Sequence, residues 1–150
     1  MDYLEDFLVG QTIETGYRTI TETDIVQFCM FSGDWYPLHS DVEFAESSVF
    51  GGRIAHGMLV LSVATGLIPL TDMAIIAFYG MDSVRFVKPV RIGDSVGVKL
   101  EVRDKRAKEE NGLVTLKCEV RNRKKENVVI GDLTFLVASR EMSTSSHFGS

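Results

Sequence analysis

Residues 31–41, FSGDWYPLHSD, bring a carboxylate and an imidazole close together in the chain. Asp34 and His39 can take up and deliver protons near neutral pH, as general acid–base chemistry requires. Pro37 lies between them and favours an extended conformation for Tyr36, which indicates an irregular loop. Taken alone, Asp34 is better interpreted as capping a turn, and His39 as a buried, hydrogen-bonded core histidine.

A metal site is a third interpretation of the same loop. Asp34, His39 and Asp41 could supply oxygen and nitrogen ligands. Three such ligands within one short loop, without a further cluster, do not favour a metal centre. We therefore expect no metal.

Two capping patterns predict helices on either side of the loop. Residues 21–24 (TETD) precede apolar residues at helical spacing, and this first helix should end near Gly33. Residues 40–43 (SDVE) repeat the pattern and predict a short helix that brings Phe44 and Ala45 inward.

Residues 54–68 are apolar nearly all round the helical wheel, interrupted by His56, Ser62, Thr65 and two glycines. A helix of this kind must be enclosed on most sides. It is the long central helix of the predicted fold.

In the second half of the chain apolar and polar residues alternate, as they do in β-strands with one face exposed to water. The alternation covers residues 95–102, 114–121 and 133–137, and residues 11–20 form a weaker strand. Turn signals at 93–94, 111–112 and 126–127 make an antiparallel meander the simplest connection. We therefore expect an α+β hotdog fold, in which the antiparallel sheet wraps around the central helix.

Length and composition indicate one globular domain, placed at residues 1–142. Of the 150 residues, 45% are hydrophobic and 25% charged, which suffices for an ordinary core. The tail at 143–150 is small and polar apart from Phe148, so we expect it to be flexible. Its final Gly-Ser is typical of residues added by an expression vector.

Charge, hydropathy and cysteine content indicate which partners and which cell compartment to expect. The net charge of −5 argues against a nucleic-acid partner, which usually requires a basic face. The acidic start does not resemble a secretory leader, and the apolar segment 58–70 is too short to cross a bilayer. Cys29 and Cys118 lack the spacing of a disulfide framework or a zinc site. These features predict a cytoplasmic protein without a membrane partner.

Three segments resemble the signature of one family. Residues 31–41, then 52–59 (GRIAHGML), closely resemble the signature of the MaoC-like dehydratases, a hotdog family that includes (R)-specific enoyl-CoA hydratases. Residues 84–90 (VRFVKPV), followed by Gly93 and Asp94, resemble the family's strand that enters the sheet. The resemblance runs from about residue 8 to about residue 138. It implies a lyase of fatty acid metabolism: an enoyl-CoA hydratase or 3-hydroxyacyl-CoA dehydratase that adds water reversibly to an α,β-unsaturated acyl thioester.

The resemblance implies that Asp34 and His39 are the catalytic pair. Hydration needs a base at the attacking water and an acid at the α-carbon, which this pair can provide. The family's oxyanion-hole glycine falls at Gly57, where a helix start offers free N–H groups and a positive dipole. Thr65 matches a hydroxyl that orients the catalytic Asp.

Each of the remaining site residues has a structural interpretation beside the functional one. His56 is grouped with the oxyanion and substrate-binding residues by position, but bonding to backbone near the helix start is the preferred interpretation. Gly57 alone would be a tight-turn glycine, and Thr65 alone would satisfy a backbone carbonyl one turn back. Four cations could hold coenzyme A phosphates, although solvation at the surface is their ordinary role: Arg53, Arg85, Lys88 and Arg91.

One position departs from the family. Tyr36 stands where the family usually has Asn, so a bulky aromatic side chain could reshape or shorten the acyl pocket. The expected partners are an acyl-CoA substrate and at least a second copy of the chain, because the resemblance implies a homodimer with the acyl tunnel near the interface and the long helices close together. No cofactor is expected beyond the coenzyme A of the substrate.

Two alternative functions keep the fold. A hotdog thioesterase would direct water at the thioester carbonyl, but such enzymes generally lack the full motif from Asp34 to His39. A non-catalytic acyl-thioester-binding subunit would follow if Tyr36 blocked the pocket. The joint presence of Asp34, His39 and Gly57 argues against it.

Overall fold

The computed structural model describes residues 1–141, and both the predicted domain end at 142 and the predicted tail at 143–150 lie outside them. The described chain contains four α-helices, six strands and two 3-10 turns at Leu4–Asp6 and Leu70–Asp72. The helices are α1 (Glu22–Ser32), α2 (Pro37–Ser40), α3 (Val42–Glu46) and α4 (Gly57–Leu67). The strands are β1 (Thr12–Glu14), β2 (Arg18–Thr19), β3 (Ile75–Phe86), β4 (Ser95–Ala107), β5 (Asn111–Asn122) and β6 (Asn127–Ala138).

The first helix has the ends that the sequence predicts. The Thr21 hydroxyl accepts the backbone N–H of Asp24, and the Asp24 carboxylate accepts the backbone N–H of Thr21, which completes a capping box. At the other end Gly33 adopts a φ of 77°, a left-handed conformation that suits glycine. The prediction of a helix from the capping pattern to Gly33 is confirmed.

The second capping pattern is confirmed only in part. The cap is Asp41, whose carboxylate accepts the N–H of Phe44 at 3.0 Å. Ser40 instead ends α2, and its hydroxyl donates to the carbonyl of Trp35. The prediction that Phe44 points inward is wrong: Ala45 is fully buried, but Phe44 is exposed, because a helix of one turn buries only one of two neighbouring side chains.

The sheet is antiparallel throughout, in the order β1-β4-β5-β6-β3, with β2 also paired to β4. The predicted meander over β4, β5 and β6 is confirmed. The single strand expected at residues 11–20 is two short strands. The strand expected at residues 84–90 is correct only in part: β3 spans Ile75–Phe86, so it begins nine residues earlier and ends before residue 87.

The turn predicted at residues 111–112 is wrong, because both residues belong to β5 and the connection lies before them. Gly112 serves a different need. A Cβ there would lie 2.6 Å from the carbonyl oxygen of Arg106 on β4 and from the side chain of Leu4. Glycine therefore permits a close approach of backbone and side chain rather than a turn.

The core lies between the sheet and α4. Val60 and Ala64 on α4 are buried together with Leu100, Leu116 and Leu133 from the three central strands. The helix is shorter than the predicted 54–68, because Ile68 is extended ahead of Pro69. It is also less enclosed than expected: the face formed by Met58, Ser62 and Gly66 is exposed.

Both cysteines are free and buried, as the absence of a disulfide spacing predicts. Among residues 1–141 no helix has the length and apolar character needed to cross a membrane.

Candidate active site

The loop that carries Asp34 is built by local hydrogen bonds after the end of α1. The backbone N–H of Asp34 donates to the Ser32 hydroxyl at 3.1 Å, and the N–H of Tyr36 donates to Asp34 Oδ1 at 3.2 Å. Tyr36 has a ψ of 133°, the extended conformation expected before Pro37. These contacts leave the Asp34 carboxylate exposed at the surface of the loop.

His39 stands on α2 and is half-buried. Its Nδ1 lies 2.8 Å from the carbonyl oxygen of Ile54. Because a carbonyl oxygen can only accept, Nδ1 must carry the proton. The Nε2 of a neutral His39 therefore presents a lone pair that can accept a proton from a bound water.

His56 caps the N-terminus of α4 and is buried, with 2% of its surface exposed. Its Nε2 lies 3.0 Å from the backbone carbonyl of Asp34, so Nε2 carries the proton. Within residues 1–141 its buried Nδ1 has no hydrogen-bond partner. Burial holds the pKa of His56 below the usual 6.5, and the neighbouring His39 acts in the same direction.

The two imidazoles stack on each other. The ring centroids of His39 and His56 are 3.9 Å apart, with 26° between the ring planes. On its other side His56 contacts Phe28, at 4.8 Å between centroids, and lies 3.5 Å from the Cys29 sulfur. The first turn of α4 thus supports the His39 ring and, through the Asp34 carbonyl, the acidic loop.

Asp34, His39 and His56 form one cluster. One ligand atom from each residue can be chosen so that all three atoms lie within 4.8 Å of one another. A group of one carboxylate and two imidazoles at this spacing offers the ligand types that zinc accepts, and the structure holds no ion that would test this. The same spacing is short enough for one water to bridge the carboxylate and an imidazole. Asp41, considered with this loop as a metal ligand, instead caps α3.

Gly57 lies beside this cluster, at the first residue of α4. Its N–H belongs to the first turn, where a helix offers no carbonyl one turn back. A Cβ at this position would lie 2.6 Å from the Phe86 ring. Glycine therefore leaves room for Phe86 and keeps the helix start open to an approaching group.

An apolar cavity of about 400 Å³ joins these features. His39 and Gly57 line it, together with Met58, Phe86 and Val129. The volume falls within the range of small-molecule sites, about 300–1,000 Å³, and mostly apolar walls are usual there. The cavity can hold an apolar chain with its reactive end against the imidazole and the helix start.

Thr65 and Tyr36, the other predicted site residues, lie outside the cluster of Asp34, His39 and His56. The Thr65 hydroxyl donates to the carbonyl of Ser62 at 2.7 Å, and no contact between Thr65 and Asp34 is found among residues 1–141. Tyr36 is 55% exposed and does not line the cavity. Its ring contacts His39 and Phe44 edge-on, at 6.1 Å between centroids. In the single chain Tyr36 therefore leaves the cavity open.

The four cations considered for phosphate binding do not form one group. Arg53 pairs with Glu22 at 2.7 Å, and an Arg85 guanidinium nitrogen donates to the carbonyl of Val84. Lys88 and Arg91 line a polar cleft next to the apolar cavity.

The sequence did not predict two groups that shape the candidate site. The Ile54 carbonyl, which orients His39, is a backbone group, so the pattern of side chains in the sequence does not predict its role. Phe86 was part of a predicted strand, but its position against Gly57 depends on how β3 crosses the start of α4.

A six-stranded antiparallel sheet packed on a largely buried helix defines a protein of the hotdog class. A family model described as a MaoC-like domain matches residues 6–124. The chain therefore belongs to the MaoC-like domain family.

Individual relatives agree with this assignment. Protein MaoC of Klebsiella aerogenes is 40% identical over 107 residues, which make up 71% of this chain and 32% of that protein. The chain thus spans about a third of that relative's length. A 3-hydroxybutyryl-CoA dehydratase of Methylorubrum extorquens is 32% identical over 139 residues, covering 93% of this chain and 86% of that protein.

Solved structures show the same architecture. An (R)-hydratase of Pseudomonas aeruginosa superposes with a TM-score of 0.74 at 31% identity, covering 91% of this chain and 85% of that one. A Mycobacterium tuberculosis protein described as a double hotdog fold gives a TM-score of 0.84 at 21% identity, over 92% of this chain and 44% of that one. The second comparison concerns the fold alone and supports the predicted hotdog architecture.

Proposed function

We propose that this chain is an (R)-specific enoyl-CoA hydratase, or in reverse a 3-hydroxyacyl-CoA dehydratase. The observation that carries the proposal is that Asp34 and His39 bring ligand atoms within 4.8 Å of each other, while His39 and Gly57 line an apolar cavity. Family members named as a dehydratase of a coenzyme A thioester and as an (R)-hydratase support the reaction class.

In this proposal the catalytic water donates one hydrogen bond to the Asp34 carboxylate and one to His39 Nε2. Both groups accept, so they turn a water lone pair toward the β-carbon of the unsaturated thioester. As the new C–O bond forms, one of the pair takes a proton from the water. The residue that took this proton then acts as the acid and delivers it to the α-carbon, so that the hydroxyl and the hydrogen of one water add across the double bond.

The thioester oxygen gains negative charge during this step and needs a donor. The N–H of Gly57 at the positive end of α4 supplies it, because a preorganised donor stabilises developing charge. Proton transfer and this polarisation together suffice for hydration. We therefore propose that no metal or redox cofactor takes part.

The His56 ring positions both catalytic residues. It holds the backbone of Asp34 by a hydrogen bond and the ring of His39 by stacking. Thr65 is proposed to approach Asp34 only if its hydroxyl leaves the Ser62 carbonyl when substrate binds.

We also propose that the working form is a homodimer formed through β3 and the open face of α4. β3 is an edge strand with exposed apolar side chains, among them Phe78 and Tyr79. A long apolar edge strand tends to pair with another strand. Pairing β3 with its copy would cover these side chains and bring Met58 on the exposed face of α4 toward the interface.

The proposed location is the cytoplasm, where thiols stay reduced, because Cys29 and Cys118 are free. Acyl chain length is not part of the proposal. A short chain is the natural first test, since one relative is named for a four-carbon substrate.

The test follows the conjugated-thioester absorbance of crotonyl-CoA together with free thiol in the same sample. Loss of absorbance without thiol is expected and supports a hydratase. Thiol release would show the alternative thioesterase. Stoichiometric binding of crotonyl-CoA without either change would show a binding subunit.

A further inference from the structure

Most of the wall of the apolar cavity is fixed by regular structure. Its lining residues on α2, α4, β3 and β6 are held by the hydrogen bonds of those elements. Two lining segments outside the elements are held by backbone hydrogen bonds. The N–H of Ala55 donates to the carbonyl of Val90 at 2.7 Å, and the N–H of Val87 donates to the carbonyl of Val128 at 3.0 Å. These parts of the wall have little freedom to move.

Phe50 lines the same cavity from a different kind of support, the α3–α4 loop (residues 47–53). The N–H of Phe50 donates to the Ser48 hydroxyl at 3.2 Å, and the N–H of Gly51 donates to the Ser48 carbonyl at 3.1 Å. Gly51 has a φ of 65°, and the neighbouring Val49 is 97% exposed. These local bonds shape the turn but do not attach it to the rest of the cavity wall.

Arg91 supplies an attachment. Its Nη2 donates to the Phe50 carbonyl at 2.6 Å, and its Nη1 lies 3.5 Å from where a Cβ on Gly52 would stand. The guanidinium therefore lies along the loop. The backbone of Arg91 is itself fixed, because its N–H donates to the Asp94 carboxylate at 2.9 Å and it forms an isolated antiparallel bridge with Ile54.

The contact of Arg91 with the loop has no competitor among the carboxylates. Within residues 1–141 no ion pair involves the Arg91 guanidinium. Arg53, on the loop itself, pairs with Glu22 at 2.7 Å and so ties the loop to α1. A planar guanidinium can contact two points of a loop at once, and a charged donor makes a stronger hydrogen bond than a neutral one.

We propose that Arg91 is a positioning residue that holds Phe50 as one wall of the acyl cavity, and that this wall favours short acyl groups. The inference rests on the proposed function and adds the acyl length. A short group with its reactive end beside His39 packs against a wall that stays in place. Without the donor on its carbonyl Phe50 can move outward, so a short group loses contact and a longer one gains room.

The test compares Arg91→Met, which removes the donors and the charge but keeps an unbranched stem, with Phe50→Ala, which removes the wall. Arg106→Met is the matched control, because Arg106 is exposed on β4 and does not line the cavity. Each variant is assayed with crotonyl- and trans-2-octenoyl-N-acetylcysteamine. These thioesters carry no phosphate, so a direct contact between Arg91 and a phosphate does not enter the comparison.

The measured quantity is the ratio of kcat/KM for the octenoyl substrate to that for the crotonyl substrate. It should rise by about five- to tenfold in Arg91→Met, within the range by which a pocket discriminates one methylene. Phe50→Ala should change the ratio in the same direction, and Arg106→Met should match the parent protein. Arg91→Lys keeps the charge and one donor group and should give a smaller rise.

The double variant Arg91→Met/Phe50→Ala shows whether Arg91 acts through Phe50. Its ratio should equal that of Phe50→Ala alone, because without the ring Arg91 has no wall to position. Additive effects, an unchanged ratio in Arg91→Met, or a fall in that ratio would overturn the inference.

A binding measurement separates this inference from the proposed function. The ligands are saturated butyryl and octanoyl amides of the same arm, in which nitrogen replaces the thioester sulfur, so that they cannot be hydrated. Calorimetry gives the ratio of their dissociation constants, octanoyl to butyryl, which should fall in Arg91→Met and Phe50→Ala. If no thioester is hydrated but this ratio falls, the function fails and the role of Arg91 stands. If hydration occurs and the ratio is unchanged in both variants, the function stands and the inference fails.

Discussion

At the scale of residues, backbone carbonyls decide what each imidazole can do. The Ile54 carbonyl places a proton on His39 Nδ1 and leaves Nε2 free, whereas the Asp34 carbonyl places a proton on His56 Nε2. The two stacked rings therefore have different roles, since His39 can accept a proton from water and His56 holds its neighbours. The family resemblance predicts Asp34 and His39 as a pair, but this division of roles depends on backbone groups that a side-chain pattern does not contain.

His56 should make stability depend on pH. Its pKa is lowered from 6.5 by burial, although the Asp34 carbonyl and carboxylate act in the opposite direction, so the unfolded chain binds more protons below pH 6.5 than the folded one. The free energy of unfolding should therefore fall as pH drops from 7, and this contribution should level off below the folded pKa.

Calorimetric unfolding at a series of pH values checks this expectation. His56→Gln is the matched control, because its amide can still donate to the Asp34 carbonyl but cannot take up a proton. The difference in melting temperature between the parent protein and His56→Gln should shrink or reverse as pH falls from 7 toward 5. A difference that does not change with pH would show that His56 is not held neutral.

At the scale of elements, alternation predicted some strands and missed another. β5 alternates between buried and half-buried residues along nearly its whole length, so its period is visible in the sequence, whereas β4 and β6 alternate over only part of theirs. The first part of β3, residues 75–81, reads IIAFYGM and does not alternate, since apolar residues point outward as well as inward. An edge strand with two apolar faces cannot be distinguished from a buried segment by period alone.

The start of α4 and the end of β3 meet at Gly57. Gly57→Ala should displace the Phe86 ring, because the new methyl group would lie 2.6 Å from it, and should move that ring into the cavity. We expect kcat/KM for crotonyl-CoA to fall by about tenfold or more, since both substrate position and the oxyanion donor are disturbed.

The double variant Gly57→Ala/Phe86→Leu separates the two causes. Leucine gives the added methyl group room, so the double variant should recover part of the activity, while Phe86→Leu alone should change it little. If Gly57→Ala has full activity, or if the second substitution gives no recovery, the contact with Phe86 does not shape the site.

At the scale of the whole molecule, a single copy of the chain leaves apolar surface exposed along one side of the hotdog fold. Exposed apolar side chains lie along β3, and the outer face of α4 is also exposed. The sequence predicted a helix enclosed on most sides, and a single copy of the chain does not provide that enclosure. The second copy proposed above would provide it, so support for the proposed dimer comes from the exposed apolar surface and not from the period of the sequence.

Tyr79→Glu should weaken the dimer, because it places a charge on the exposed edge strand, where Tyr79 is 66% exposed. Thr12→Glu on β1, at the other side of the sheet, is the control and should leave the assembly unchanged. Sedimentation equilibrium measures both. A parent protein that is monomeric, or a Tyr79→Glu variant that dimerises as tightly as the control, would contradict the proposed interface.

The central claim is that Asp34 and His39 act as a pair on one water, and the most direct measurement is kcat/KM for hydration of crotonyl-CoA by Asp34→Asn and His39→Gln. Each variant should lose about 10² to 10⁴ in rate, the usual worth of general acid–base catalysis, while Asp104→Asn on the exposed part of β4 should lose none. The double variant should lose little more than either single one, because residues that act as a unit are not additive. Full hydration activity in either single variant would contradict the account.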